Sequence, residues 1–163
     1  MIVGYLDSGS GQGTILTSSD GVSWTSRTSG VSKYLTEVTY GDGTFVSVGE
    51  SGSIVTSTDG TTWTSRTSGV SKYLKSVSFG NDTFVAVGDT GTIISSSNNG
   101  TTWTSRDSEW TTSWYNGVSF GNDTFVVGGG SGKSFTSSDN GTTWTKSSLG
   151  STSLQTNDIT FGN

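Results

Sequence analysis

The chain has 163 residues, of which 28% are hydrophobic, so it can form one domain whose core is thin and repeated. A formal charge of −5 and a pI near 4.4 leave no basic stripe for phosphates, which excludes general nucleic-acid binding and docking on an anionic membrane. Cysteine and histidine are both absent, which removes disulfides, ordinary zinc and copper sites and every Ser-His or Cys-His nucleophile; no metal or other cofactor is expected.

The chain opens Met1-Ile2-Val3, with no basic start and no long apolar run, so a signal peptide is either absent or already removed, and no membrane insertion is expected. A glycine-rich stretch over 7–13 lacks the lysine and the following helix that a phosphate cradle needs, and reads as a lengthened loop. Ile15-Leu16 is the next strand. Ser-Ser-Asp20-Gly21-Val-Ser-Trp24 then predicts a hairpin turn, and a loop follows over 28–35. Val38 and Tyr40 alternate with polar residues as a half-buried strand does, Asp42-Gly43 is a turn, and Phe45 to Val48 is a further strand.

The same order then recurs. Asp59-Gly60 precedes Trp63, Asn98-Asn99-Gly100 precedes Trp103, and Asp139-Asn140-Gly141 precedes Trp144, which places successive tryptophans 39, 40 and 41 residues apart. Val77 with Phe79, Val118 with Phe120 and Ile159 with Phe161 repeat the first strand of the unit, here called A. Phe84 to Val87 and Phe125 to Val127 repeat the second, B. Strand C is Ile15-Leu16 and its equivalents, such as Ile93-Ile94, and strand D carries the tryptophan. Four short antiparallel strands in tandem predict an all-β fold, a β-propeller of four blades forming a single domain over 1–163. One blade is split, with strand B at the N-terminus and strand A at the C-terminus. Pairing these two ends would close a four-bladed ring within one chain, or an eight-bladed homodimer by strand exchange between two.

These turns resemble the Asp-box, or BNR, repeat, Ser/Thr-x-Asp-x-Gly-x-Thr-Trp, which marks the C-to-D hairpin of a propeller blade. The longer stretch from Val87-Gly88 through Gly91-Thr-Ile93 to Asn98-Asn-Gly100-Thr-Thr-Trp103 is similar to the propellers of photosystem II assembly factors and related bacterial proteins. The resemblance implies that Asp20, Asp59, Asn98 and Asp139 stabilise their own turns on the face away from ligands. Trp24, Trp63, Trp103 and Trp144 are expected as structural anchors, each burying enough area to contribute roughly 4 to 6 kcal/mol gross. Sialidases also carry Asp boxes, and Arg27, Arg66 and Arg106 invite comparison with an arginine triad. They are one repeat position copied three times, however, and should ring the rim instead of converging. No glutamate is paired with a tyrosine as such an enzyme requires, so no catalytic residue is assigned and the chain reads as a non-enzyme.

In a propeller the D-to-A and B-to-C loops emerge on one face, and the A-to-B and C-to-D turns on the other. The D-to-A loops span 28–35, its copy 67–74, then 107–116 and 148–157, and they vary where the turns opposite hardly do, which makes their face the binding candidate. They carry Lys33, Tyr34, Lys72, Tyr73, Trp110, Trp114 and Tyr115, large aromatics and lysines outside the core pattern, suited to stacking on a glycan or anchoring a protein. A lectin-like or protein-binding role follows, with a structural scaffold docked by its rim as the alternative. The Gly/Ser/Thr-rich, cysteine-free composition favours an extracellular, cell-surface or virion setting.

Overall fold

The computed structural model describes residues 1–5, 13–108, 113–148, 150 and 154–161. Its strands, in chain order, are β1 (Ile2–Tyr5), β2 (Gly13–Thr17), β3 (Thr25–Thr28), β4 (Leu35–Gly41), β5 (Thr44–Gly49), β6 (Ile54–Ser57), β7 (Thr64–Arg66) and β8 (Leu74–Gly80). The series continues through β9 (Thr83–Gly88), β10 (Ile93–Ser96), β11 (Thr104–Arg106), β12 (Tyr115–Gly121), β13 (Thr124–Gly129), β14 (Lys133–Ser137) and β15 (Thr145–Ser148). They form four antiparallel sheets: β4-β5-β6-β7, β8-β9-β10-β11 and β12-β13-β14-β15 have four strands, and β1-β2-β3 has three. The fold is the all-β, four-blade propeller architecture that the repeat predicts.

Local chemistry accounts for the hairpins. Between strands A and B the chain places two consecutive residues at positive φ: Asp42 and Gly43 at 43° and 72°, Asn81 and Asp82 at 45° and 57°, Asn122 and Asp123 at 49° and 57°. That pairing is the backbone of the two-residue turn whose twist matches its flanking strands, and Asn, Asp and Gly are the residues that tolerate it. Each A strand also begins with a bulge, between Leu35 and Glu37, Leu74 and Ser76, and Tyr115 and Gly117.

The apolar residues fill the joints between sheets. Val46, Val48 and Ile54 of one blade pack with Leu74, Val77, Phe84, Ala86 and Ile94 of the next, and Val85, Val87 and Ile93 pack with Tyr115, Val118, Phe125, Val127 and Phe135. Complete burial of a Phe84 or Phe125 contributes about 1.5–3 kcal/mol. Two contacts recur at each joint. On the inner strands, a Cβ added at Gly41 would strike the ring of Phe79, one at Gly80 the ring of Phe120, and one at Gly121 the ring of Phe161, so a bare glycine seats the aromatic ring of the following unit. Further out, the Asp-box glycine rests on the blade before it: Gly100 on Val46 and Thr56, Gly141 on Val85 and Ser95, Gly60 on Met1.

Residues 154–161 carry the expected inner strand of the split blade as packing without a ladder: no strand is assigned to them, and among the described residues β1 pairs only with β2. Phe161 nevertheless sits on Gly121 as Phe120 does on Gly80. The Asn116 side-chain N–H donates to the Thr156 carbonyl at 2.8 Å, as the Thr36 hydroxyl donates to that of Leu74, also at 2.8 Å.

The tryptophans are not equivalent anchors. Trp63 is buried, and the indoles of Trp63, Trp103 and Trp144 each donate to the carbonyl of their own box glycine, at 3.4, 3.0 and 3.2 Å. Trp24 is 40% exposed, nothing lies within 4 Å of a Cβ built on Gly21, and among the described residues no sheet packs against this first box. The anchor expected at Trp24 is therefore corrected.

Candidate binding face

Three of the aromatic residues singled out from the loops occupy one repeated position, immediately before strand A. The carbonyl of Tyr34 accepts the N–H of Glu50 at 2.9 Å, that of Tyr73 the N–H of Asp89 at 2.9 Å, and that of Trp114 the N–H of Gly130 at 3.0 Å. The glycine ending each B strand makes this approach feasible: a Cβ on Gly49, Gly88 or Gly129 would lie 1.8, 1.9 or 2.1 Å from the same carbonyl oxygen. D-to-A and B-to-C loops are thus bolted together, and they hold Tyr34, Tyr73 and Trp114 in register around one face. Tyr34 and Tyr73 are half-buried, and Trp114 is 57% exposed.

One lysine sits against these rings and others lie on the neighbouring loops and strands. The Lys75 ammonium lies 5.8 Å over the Trp114 ring, 2.7 Å from the Asp89 carboxylate, and donates to the Asn116 side-chain carbonyl at 3.0 Å. Lys33 pairs loosely with Glu50 at 3.8 Å, Lys72 is exposed, and Lys133 donates to the Ser113 hydroxyl at 2.9 Å. Lys75, Asp89 and Lys133 lie on strands and short turns outside the D-to-A loops and so escape the sequence reading, and Asn116, within the 107–116 stretch, carries no aromatic or charge to single it out. The available signal was that Thr36, Lys75 and Asn116 hold one repeated position with three different side chains.

Tyr115 does not belong to this face. It is fully buried as the first residue of β12, where Leu35 and Leu74 begin β4 and β8, and its ring meets Phe135 edge-on at 5.3 Å. Its hydroxyl, buried beside Ser108, makes no hydrogen bond of acceptable geometry among the described residues. Trp110 lies outside the described residues.

The Asp boxes stand apart as turn locks. Oδ1 of Asp59 accepts the N–H groups of Thr61 and Thr62, both at 2.7 Å, and the Ser57 hydroxyl at 2.9 Å, and Asp20 repeats the pattern with Ser23, Val22 and Ser18. These bonds to the charged form hold Asp20 and Asp59 well below the usual carboxylate range, and the Thr143 hydroxyl and N–H lower Asp139 to about 2. Asn98 takes the place of aspartate in the third box, accepting from Thr102 N–H at 3.0 Å. The strand-D arginines do not converge: each donates its Nε–H to a hydroxyl of its own sheet, Arg27 to Thr17, Arg66 to Thr56 and Arg106 to Ser95. Arg27 and Arg66 line separate grooves of about 440 and 300 Å³ between neighbouring blades.

On the inner strands, Glu37 is half-buried and its Oε2 accepts the Val77 N–H at 2.6 Å. Burial pushes this carboxyl above its ordinary range and the negative charge of Asp158 adds to the rise, while hydrogen bonds from Ser76 and Val77 oppose it. At the next joint the Ser76 hydroxyl takes the same role, accepting from Val118 N–H at 3.0 Å.

No protein-family model and no curated protein matches the sequence. Among solved structures the chain is similar to YCF48 from Cyanidioschyzon merolae, at 17% identity and a TM-score of 0.63, over 88% of this chain and 53% of that one. It is likewise similar to YCF48 bound to D1 peptide, at 16% identity and a TM-score of 0.62, over 86% of this chain and 48% of that one. The chain spans about half the length of these structural relatives, and the likeness is one of propeller fold.

Proposed function

We propose that the protein is a non-enzymatic binding propeller that takes an extended segment of a partner protein across the loop face bearing Tyr34, Tyr73 and Trp114. The carrying observation is the repeated backbone lock between loops, which holds Tyr34, Tyr73 and Trp114 at equivalent strand ends, so little backbone entropy is lost when a ligand covers them. An exposed Trp114 with Lys75 above it suits the aromatic and cationic anchoring that concentrates binding energy in few residues. Support comes also from the similar YCF48 propeller, one structure of which holds a D1 peptide. The same rings would stack on a glycan, but the peptide reading has this additional support and is the one adopted.

Panning a phage-displayed random peptide library against the protein, with affinities of the selected peptides measured by calorimetry, tests the proposal. Trp114→Ala and Tyr73→Ala should each weaken binding about 10-fold or more, a loss of about 1.4 kcal/mol. Affinities unchanged in both variants would refute it.

A further inference from the structure

The strand-D arginines, which do not converge on one another, stand in the joints between sheets. Arg66 is the clearest, because both walls of its joint lie inside the array, with the Asp59 turn and its strands on one side and the third box on the other. Its Nε–H is held by the Thr56 hydroxyl at 2.9 Å, and among the described residues the rest of the guanidinium makes no hydrogen bond or ion pair. The group is thereby fixed in place with its two terminal nitrogens left to donate. Asp59 is in the same condition. Its turn engages Oδ1, through Thr61, Thr62 and Ser57, and Oδ2 accepts nothing among the described residues. Arg66 and Asp59 line one hollow of about 300 Å³ without pairing. On its other side Arg66 lines a second hollow, of about 420 Å³, which shares Thr101 with the first and has the half-buried Trp103 in its wall. The arrangement recurs one blade earlier. Arg27, held by Thr17, stands between hollows of about 440 and 430 Å³, and Asp59 of the following box lines the first of them.

We propose that the joints at Arg27 and Arg66 bind a neutral saccharide, at sites separate from the loop face. A fixed guanidinium donates, a fixed carboxylate oxygen accepts, and hydroxyls such as those of Thr62 and Thr101 do either, which complements a sugar ring whose neighbouring hydroxyls both donate and accept. Trp103 adds aromatic surface on which the C–H face of such a ring stacks. Charge sets this ligand apart from an anion, since the Asp59 carboxylate in the same hollow and the formal charge of −5 on the chain both oppose a carboxylate or phosphate at Arg66. The hollows have the size of small-ligand sites. Little ordering is needed on binding, because Thr56 holds Arg66 and the turn holds Asp59 before a ligand arrives. Repetition of the joint gives one chain two equivalent sites, from which a repeating polysaccharide gains avidity.

The biotinylated chain, clustered on labelled streptavidin, should capture neutral oligosaccharides from a glycan array. No capture, or capture of acidic glycans alone, overturns the proposal. Calorimetry with the best captured oligosaccharide should show Arg27→Ala combined with Arg66→Ala lowering affinity about 10-fold or more, with an unchanged circular dichroism spectrum. Where that variant fails to fold, Thr61→Trp with Thr101→Trp, at exposed turn positions, fills the same joints with bulk and should abolish binding. Unchanged affinity in whichever variant folds would refute the site. A crystal soaked with the oligosaccharide separates the joints from the loop face. Density beside Arg66 and Trp103 is expected, and density against Tyr73 and Trp114 instead would sink the joints as sites while leaving the loop face standing.

Discussion

The carboxylate of Glu37 and the backbone N–H of Val77, 40 positions apart in sequence, meet at 2.6 Å across the joint between two blades. This bond ties the bulge of one inner strand to the next strand, and removing the acceptor leaves the Val77 N–H unpaired at a buried joint. Glu37→Ala should therefore cost about 1–3 kcal/mol in urea unfolding, and Glu37→Gln less, because the amide oxygen still accepts.

The same carboxyl carries a pH signature. Its folded pKa is raised by burial, so the native state binds the proton more tightly than the unfolded chain, and stability falls as pH rises above the ordinary glutamate range. Melting temperatures measured upward from about pH 4 should decline in the unvaried protein and decline less in Glu37→Gln.

The Asp boxes titrate with the opposite sign. Asp20, Asp59 and Asp139 are lowered by hydrogen bonds to the charged form, so the stability they contribute is complete above the ordinary aspartate range and is lost as pH falls from about 4 towards 2. Asp59→Asn should behave as the third box does with Asn98: a small loss at neutral pH and a shallower acid transition, read by unfolding curves at several pH values. An acid transition as steep as before would remove this account of the turn.

Gly88→Ala tests the bolt between loops. Its Cβ would lie 1.9 Å from the Tyr73 carbonyl oxygen, a backbone atom that cannot rotate away. The expected result is a stability loss of roughly 2 kcal/mol or more, with weakened affinity for any peptide selected on the Tyr73 face.

Tyr115→Phe should leave stability within about 1 kcal/mol of the original, or raise it, because the deleted hydroxyl is buried without a well-formed hydrogen bond among the described residues. Calorimetric unfolding decides this, and a large loss would show that the hydroxyl has a partner in solution.

The scaffold could be read from the sequence because it rests on short-range signals. An Asn-Asp pair at positive φ and an apolar residue at every second position leave local traces, and both were copied from unit to unit. Side-chain fate depended on neighbours that one unit does not contain. Tyr115 looks like a loop aromatic beside Trp114, yet as the first residue of β12 it fills the buried slot that leucine takes in two other blades, while Trp114 beside it is exposed. Trp24 has the motif of its three counterparts, but among the described residues it has no neighbouring sheet of the kind on which they rest. Lys75 and Asp89 come together through the register of β8 and β9, which sets Leu74 opposite Gly88, and Lys75 reaches Trp114 only when the next blade is packed alongside.

The seating of Phe79 on Gly41, Phe120 on Gly80 and Phe161 on Gly121 gives the array a direction, because every unit presents a socket on one side and a plug on the other. Duplicating such a unit in the gene duplicates both halves of its own junction, and the new copy fits between its parents with no compensating substitution. Blade number in this architecture can therefore change by whole-unit gain or loss, with ring closure, instead of interface design, deciding which totals persist.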